Sequence, residues 1–153
     1  MSQTIAIALT DPEIRACFPI VAELRPHLAE ESFVVTVRRL MREQRYLLAY
    51  LSDGGLKAVA GIRTGEWLHC GRYLEVEELV TTRAARSRGY GATLFEWLLR
   101  YAAEQDCAQV RLVSAVSRSD AHRFYLRRGM SHDAHYFAVN VPEDGGEVEN
   151  PAF

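Results

Sequence analysis

The chain has 153 residues, 48% of them apolar and 25% charged, with a formal net charge of −2. That is about one domain's worth of chain, enough to bury a core without disulfides or metals. Fifteen aromatic residues (7 Tyr, 6 Phe, 2 Trp) exclude a disordered chain, and the scattered 10 Gly and 5 Pro exclude collagen-like and low-complexity classes.

Thr4 to Leu9 alternates weakly and predicts a short first strand. Thr10-Asp11-Pro12 supplies a capping residue and a proline for a helix start, with Ile14, Phe18, Val21 and Leu24 at helical spacing. A second helix is predicted from Ser32 to about Glu43. Tyr46 to Leu51 and Leu56 to Ile62 are paired strands around the turn Ser52-Asp53-Gly54-Gly55. A loop from Thr64 to Gly71 leads to a third long strand, Tyr73 to Thr82. Gly89 to Gln105 is an apolar helical run. Gln109 to Val113 is a short buried strand, Ser119 to Arg128 a helix stopped by Gly129, and His135 to Val141 a last strand. The order β-α-α-β-β-β-α-β-α-β predicts an α/β (α+β) fold, a mixed sheet covered by helices. Residues 1–141 form a single domain in this reading, and 142–153 an acidic, frayed tail.

Charge is uneven along the chain. Residues 83–128 hold 9 basic and 4 acidic side chains, a net of +5, while 129–153 hold 5 acidic and none basic. A local basic stretch in a mildly acidic protein fits an anion site better than a nucleic-acid face. Of 18 basic residues only Lys57 is Lys, so any phosphate grip comes from Arg or from backbone amides. Cys17, Cys70 and Cys107 are odd in number and far apart, so neither a disulfide framework nor a metal site is expected. No apolar run approaches the roughly 18 residues of a membrane helix. Met1 to Leu9 lacks the basic head of a secretory signal. A cytoplasmic protein with no membrane or nucleic-acid partner is expected.

Leu79-Val80-Thr81 runs through Arg86-Ser87-Arg88-Gly89-Tyr90-Gly91-Ala92 into the apolar helix. The first turn of a helix leaves about four amides unpaired at the positive end of its dipole. Glycines at 89 and 91 let backbone approach a phosphate. A Walker loop is excluded by the missing Lys. A dinucleotide fingerprint is disfavoured because Leu94 stands where its third glycine is due. A Gly-rich helix start with solvated arginines stays open. Farther on, Ser119 to Met130 places Ala121, Phe124 and Tyr125 on a short helix, where Tyr125 could equally be core with its hydroxyl at the surface.

Together these stretches resemble the GCN5-related N-acetyltransferase superfamily. Arg86, Gly89 and Gly91 match its acyl-CoA motif [RQ]-x-x-G-x-[GA]. Ala121, Phe124, Tyr125 and Gly129 fall at the spacing of its later signature. The chain departs at Arg118, where Asn is usual, and at Met130, where an aromatic is usual. The resemblance implies a mostly antiparallel sheet with splayed central strands and acetyl-CoA as cosubstrate, with no metal. Leu79, Val80 and Thr81 would pair with the pantetheine amides as an added strand does, and Arg86 to Ala92 would hold the pyrophosphate. It implies direct acetyl transfer to an amine of a small molecule or protein, Tyr125 as general acid, and a possible homodimer.

Direct transfer needs a base for the amine proton. Counting back from Arg86, the resemblance implies Glu77 as the first candidate, because some polyamine-type members of the family keep a catalytic Glu there, and Glu78 is the second. Neighbours in a strand point to opposite faces, so one of the two faces the covered side unless a bulge intervenes. The alternative is a pair of glutamates on an exposed edge. An acidic acceptor cleft would favour a cationic acceptor. A non-catalytic acyl-CoA sensor on the same scaffold is the rival function, and a phosphate binder unrelated to CoA the third.

Overall fold

A computed structural model describes residues 3–143. The acidic stretch after Glu143 lies outside the described residues. The chain divides into two compact units, up to Leu112 and from Val113.

In the first unit, β1 (Thr4–Ile7), β2 (Tyr46–Ser52), β3 (Leu56–Trp67), β4 (Gly71–Thr81) and β5 (Gln109–Arg111) form one sheet in that spatial order. The first three pairings are antiparallel, and β4 to β5 is parallel. Three helices cover the sheet: α1 (Asp11–Leu24), α2 (Glu30–Gln44) and α3 (Tyr90–Glu104). Helix α1 starts where the sequence places it. Thr10 and Glu13 form a reciprocal capping box, with the Glu13 amide donating to Thr10 Oγ1 at 3.3 Å and the Thr10 amide to Glu13 Oε1 at 3.1 Å.

The two faces of the sheet carry separate cores. Ala58, Ala60 and Ile62 of β3 and Leu74 and Val76 of β4 pack with Leu94, Leu98 and Ala102 of α3. Tyr46 and Leu48 of β2, Val59 of β3 and Val80 of β4 pack with Ile14, Cys17 and Val21 of α1 and Phe33 and Val37 of α2. Strand β4 therefore changes face between Val76 and Val80. The cause is a bulge: Gly61 pairs with Glu78 but Ile62 pairs with Val76, which leaves Glu77 as the inserted residue.

Two expected segments differ from the sequence reading. The predicted loop from Thr64 is mostly strand, because β3 keeps pairing with β4 to Trp67↔Gly71. The Tyr73 ring lies over Gly65, filling the space a side chain there would take. Strand β5 stops at Arg111 rather than Val113.

The second unit contains α4 (Ser119–Arg127). The predicted strand from His135 to Val141 is not formed, and Tyr136, Phe137, Val139 and Val141 are exposed. A strand needs a neighbouring ladder, and among the described residues of this unit no other strand supplies one.

Candidate active site

The β4–β5 pairing covers only Tyr73–Glu75 against Gln109–Arg111. Beyond it, among the described residues, no strand pairs with that edge of β4 from Val76 to Thr81. The Thr82 amide donates to the Lys57 carbonyl at 2.9 Å, and 57 is its register partner. Antiparallel pairs alternate between bonded and non-bonded, so Val80 bonds toward β3 while Leu79 and Thr81 turn their N–H and C=O to the open edge. Arg86 Nε donates to the Thr81 carbonyl at 3.3 Å.

The same strand leads into a short turn (Arg83–Ala85) and then α3. Gly89 is the N-cap of α3, left-handed at φ 82°, and no side chain caps the helix. The amides of Tyr90, Gly91 and Ala92 therefore start the helix without an intrahelical acceptor. Arg86, Ser87, Arg88 and Gly89 are exposed around them. Two side chains fix this turn from behind. Glu23 of α1 accepts from Thr82 Oγ1 at 2.7 Å and from the Arg83 amide at 2.9 Å. Tyr90 donates to Asp53 in the β2–β3 turn at 2.8 Å.

At the bulge, Glu77 and Glu78 lie on the α1/α2 face together, so the strand alternation expected of neighbours is broken there. Arg63, which follows α3-facing Ile62 on β3, pairs with Glu77 at 2.9 Å. Tyr46 donates to Glu78 at 2.6 Å, and Arg25 Nε lies 3.8 Å from the same carboxylate. Arg25 also donates to the Glu77 carbonyl at 3.1 Å, satisfying an acceptor that the bulge takes out of the ladder. Burial raises the Glu77 carboxyl above the ordinary carboxylate range; Arg63 opposes this, and Glu78 and Glu75 add to it. Burial and the Glu78 carboxylate push the Tyr46 phenol well above its usual value.

Gly61 makes this arrangement possible. A Cβ on it would overlap both the Glu78 carboxylate and the Tyr46 hydroxyl. Gly61→Ala is expected to break the Tyr46–Glu78 bond and destabilise the fold by about 1–3 kcal/mol, the usual cost of overpacking. Denaturant unfolding checks this. A loss below about 0.5 kcal/mol, the size of an ordinary surface change, would contradict it.

In the second unit, α4 carries Tyr125. Burial raises its phenol above the ordinary value, while Arg118, hydrogen-bonded to it, pulls it back. The residue that departs from the family signature thus partners the candidate acid. Phe124 and Tyr125 rings meet edge-on at 5.7 Å. His122 bonds the Ala115 carbonyl at 2.8 Å, and His27 is exposed in the α1–α2 turn. Among the described residues, no three His, Cys, Asp or Glu side chains converge as metal ligands. None of the helices described is long and apolar enough to cross a membrane.

Sequence reasoning missed Tyr46, Arg25, Arg63 and Gly61. Only Gly61 carried a signal, because a glycine inside a strand pattern marks a close approach.

Residues 11–130 match the acetyltransferase (GNAT) family. An uncharacterized N-acetyltransferase of Bacillus subtilis is 31% identical over 126 residues, covering 81% of this chain and 89% of that protein. An aminoalkylphosphonate N-acetyltransferase of Salmonella typhimurium is 32% identical over 85 residues, 55% of this chain and 54% of its own length. An aminoglycoside N-acetyltransferase solved with CoA shares the fold at a TM-score of 0.78 and 9% identity, over 92% of this chain and 97% of that one. The match covers α1 through α4, and the Bacillus relative aligns over most of both chains, so this chain belongs to the acetyltransferase (GNAT) family.

Proposed function

We propose that this acetyltransferase moves an acetyl group from acetyl-CoA directly to a primary amine. The observation that carries the reading is the edge of β4 that no strand covers among the described residues, followed after the turn Arg83–Ala85 by an uncapped helix N-terminus. An extended chain of amides can add to the outward N–H and C=O of Leu79 and to the N–H of Thr81, beside Val80, where the Thr81 carbonyl already accepts from Arg86. A pyrophosphate suits the amides from Arg86 through Ser87, Arg88, Gly89, Tyr90 and Gly91 to Ala92, where the helix dipole and arginines favour negative charge. The Salmonella typhimurium relative named for an aminoalkylphosphonate supports an amine as acceptor.

Glu77 takes the ammonium proton, and its raised affinity for protons suits a base working near neutral pH. Acetyl-CoA supplies an activated thioester, so the C–N bond forms as the C–S bond breaks. Tyr125 gives its phenolic proton to the leaving sulfur. Glu78, held by Tyr46 and Arg25, keeps the bulge that presents Glu77. Burial pushes the Cys17 thiol up to about 12, which keeps it protonated and unsuited to a covalent acetyl-enzyme.

Acetyl-CoA at about 100-fold above its Kd should stabilise the protein by roughly 2.7 kcal/mol, and ATP should not. Gly89→Glu should abolish the gain. It puts a side chain on a left-handed residue and a carboxylate at the helix start. An unchanged acetyl-CoA shift in that variant, or an equal shift with ATP, would refute the cradle.

A further inference from the structure

Arg63 of β3, Glu75 of β4 and Arg111 of β5 are register neighbours across three strands. Glu75 lies two residues before Glu77 on β4, and Arg111 pairs with it at 3.4 Å. Arg63 pairs with Glu77 instead. The row thus continues the face that bears Glu77 and Glu78. Its charges balance: Glu75, Glu77 and Glu78 are matched by Arg25, Arg63 and Arg111. A bare polyamine finds no net negative field there.

The donors of this row are not all used. Nε of Arg63 and Nε of Arg111 are both buried without a hydrogen-bond partner among the described residues. Each side chain still keeps part of its surface in solvent, 31% for Arg63 and 28% for Arg111, so the row is open to an acceptor from outside. The Arg111 guanidinium is held in place over the Tyr73 ring at 3.6 Å and near the Trp67 ring at 4.9 Å. A stacked guanidinium presents its N–H fork at low entropic cost, the arrangement that suits a carboxylate or phosphate oxygen pair. Arg25 is committed to the bulge by its bond to the Glu77 carbonyl.

We propose that the amine acceptor is a small zwitterion whose anionic group, a carboxylate, phosphate or phosphonate, is bound by Arg63 and Arg111 while its amine meets Glu77. The proposal rests on the acetyltransferase reading above. Two strand residues span roughly 6.6 Å, so amine and anion stand only a few bonds apart. Arg63 and Arg111 are then specificity residues, and Trp67 and Tyr73 hold the second of them in place.

Calorimetry on the CoA-saturated protein tests this without requiring turnover. The probes are β-alanine, 2-aminoethylphosphonate and phosphoethanolamine, against ethanolamine and 1,3-diaminopropane. At least one anionic probe should bind at least tenfold more tightly than both others, and the tightest identifies the anion. Arg63→Met and Arg111→Met should each cut that preference at least tenfold, with acetyl-CoA stabilisation certifying the fold of each variant. Arg63→Met should also favour 1,3-diaminopropane, because it leaves Glu77 unmatched. Wild-type protein that binds 1,3-diaminopropane or ethanolamine as tightly as every anionic probe would overturn the proposal. Folded variants that keep the wild-type preference would also overturn it. Zwitterion binding with no N-acetyl product when acetyl-CoA replaces CoA would refute the catalytic reading and leave only the anion site at Arg63 and Arg111 standing.

Discussion

Tyr125→Phe should lower kcat by at least about tenfold and leave acetyl-CoA binding nearly intact. General-acid contributions run at about 10²–10⁴-fold, and water can replace part of a missing hydroxyl. The proposed bond to sulfur strengthens only as negative charge develops there, so its loss belongs in kcat rather than in ground-state affinity. Phe keeps the ring, and the edge-on contact with Phe124 survives. The melting temperature should therefore change little. Arg118→Ala provides an independent check. Arg118 lowers the Tyr125 phenol against the effect of burial, so removing it should weaken the acid and reduce kcat in the same direction. Full activity in Tyr125→Phe would mean that another group protonates the thiolate.

Glu77→Gln should reduce kcat/KM by about 10²-fold or more and change the shape of its pH dependence. In the wild type, activity should rise with pH as Glu77 loses its proton. Burial puts that rise above the ordinary carboxylate value of 4.5. The Gln variant should lose this limb. Stability moves the other way. A carboxyl whose folded pKa is raised contributes stability below its unfolded pKa, and that contribution is lost as pH rises through the folded value. At neutral pH the Gln variant should therefore be no less stable than the wild type, which separates lost chemistry from lost folding. An acidic limb that persists unchanged in Glu77→Gln would assign the base elsewhere, with Glu78 the next carboxylate to test.

Local chemistry made part of this site readable. Thr10, Asp11 and Pro12 mark the start of α1, and Gly89 marks the start of α3 at a position that needs a left-handed backbone. The run from Leu79 to Ala92 could be placed at a strand-to-helix junction for the same reason. The bulge was different. A two-residue period carries no sign of an inserted residue, so the sequence could say only that a bulge would alter which glutamate faces which side. Arg25 and Arg63 act over long chain separations, and nothing near them in sequence distinguishes them from solvated arginines. The extension of β3 was hidden by Gly65, which reads as a loop residue but lies under the Tyr73 ring. The strand expected over His135–Val141 had an apolar run but no partner ladder within its own unit among the described residues, which shows composition alone is insufficient for a strand.

Direct transfer from acetyl-CoA to an amine leaves a distinct mass balance. The measurement that tests it most directly mixes the protein with acetyl-CoA, with and without β-alanine or 2-aminoethylphosphonate, and follows free thiol, acetylated amine and intact protein mass together. Direct transfer should give thiol release that requires the amine, equals the N-acetyl product mole for mole, and leaves the protein mass unchanged. Amine-independent thiol release with an acetyl group retained on the protein would contradict it.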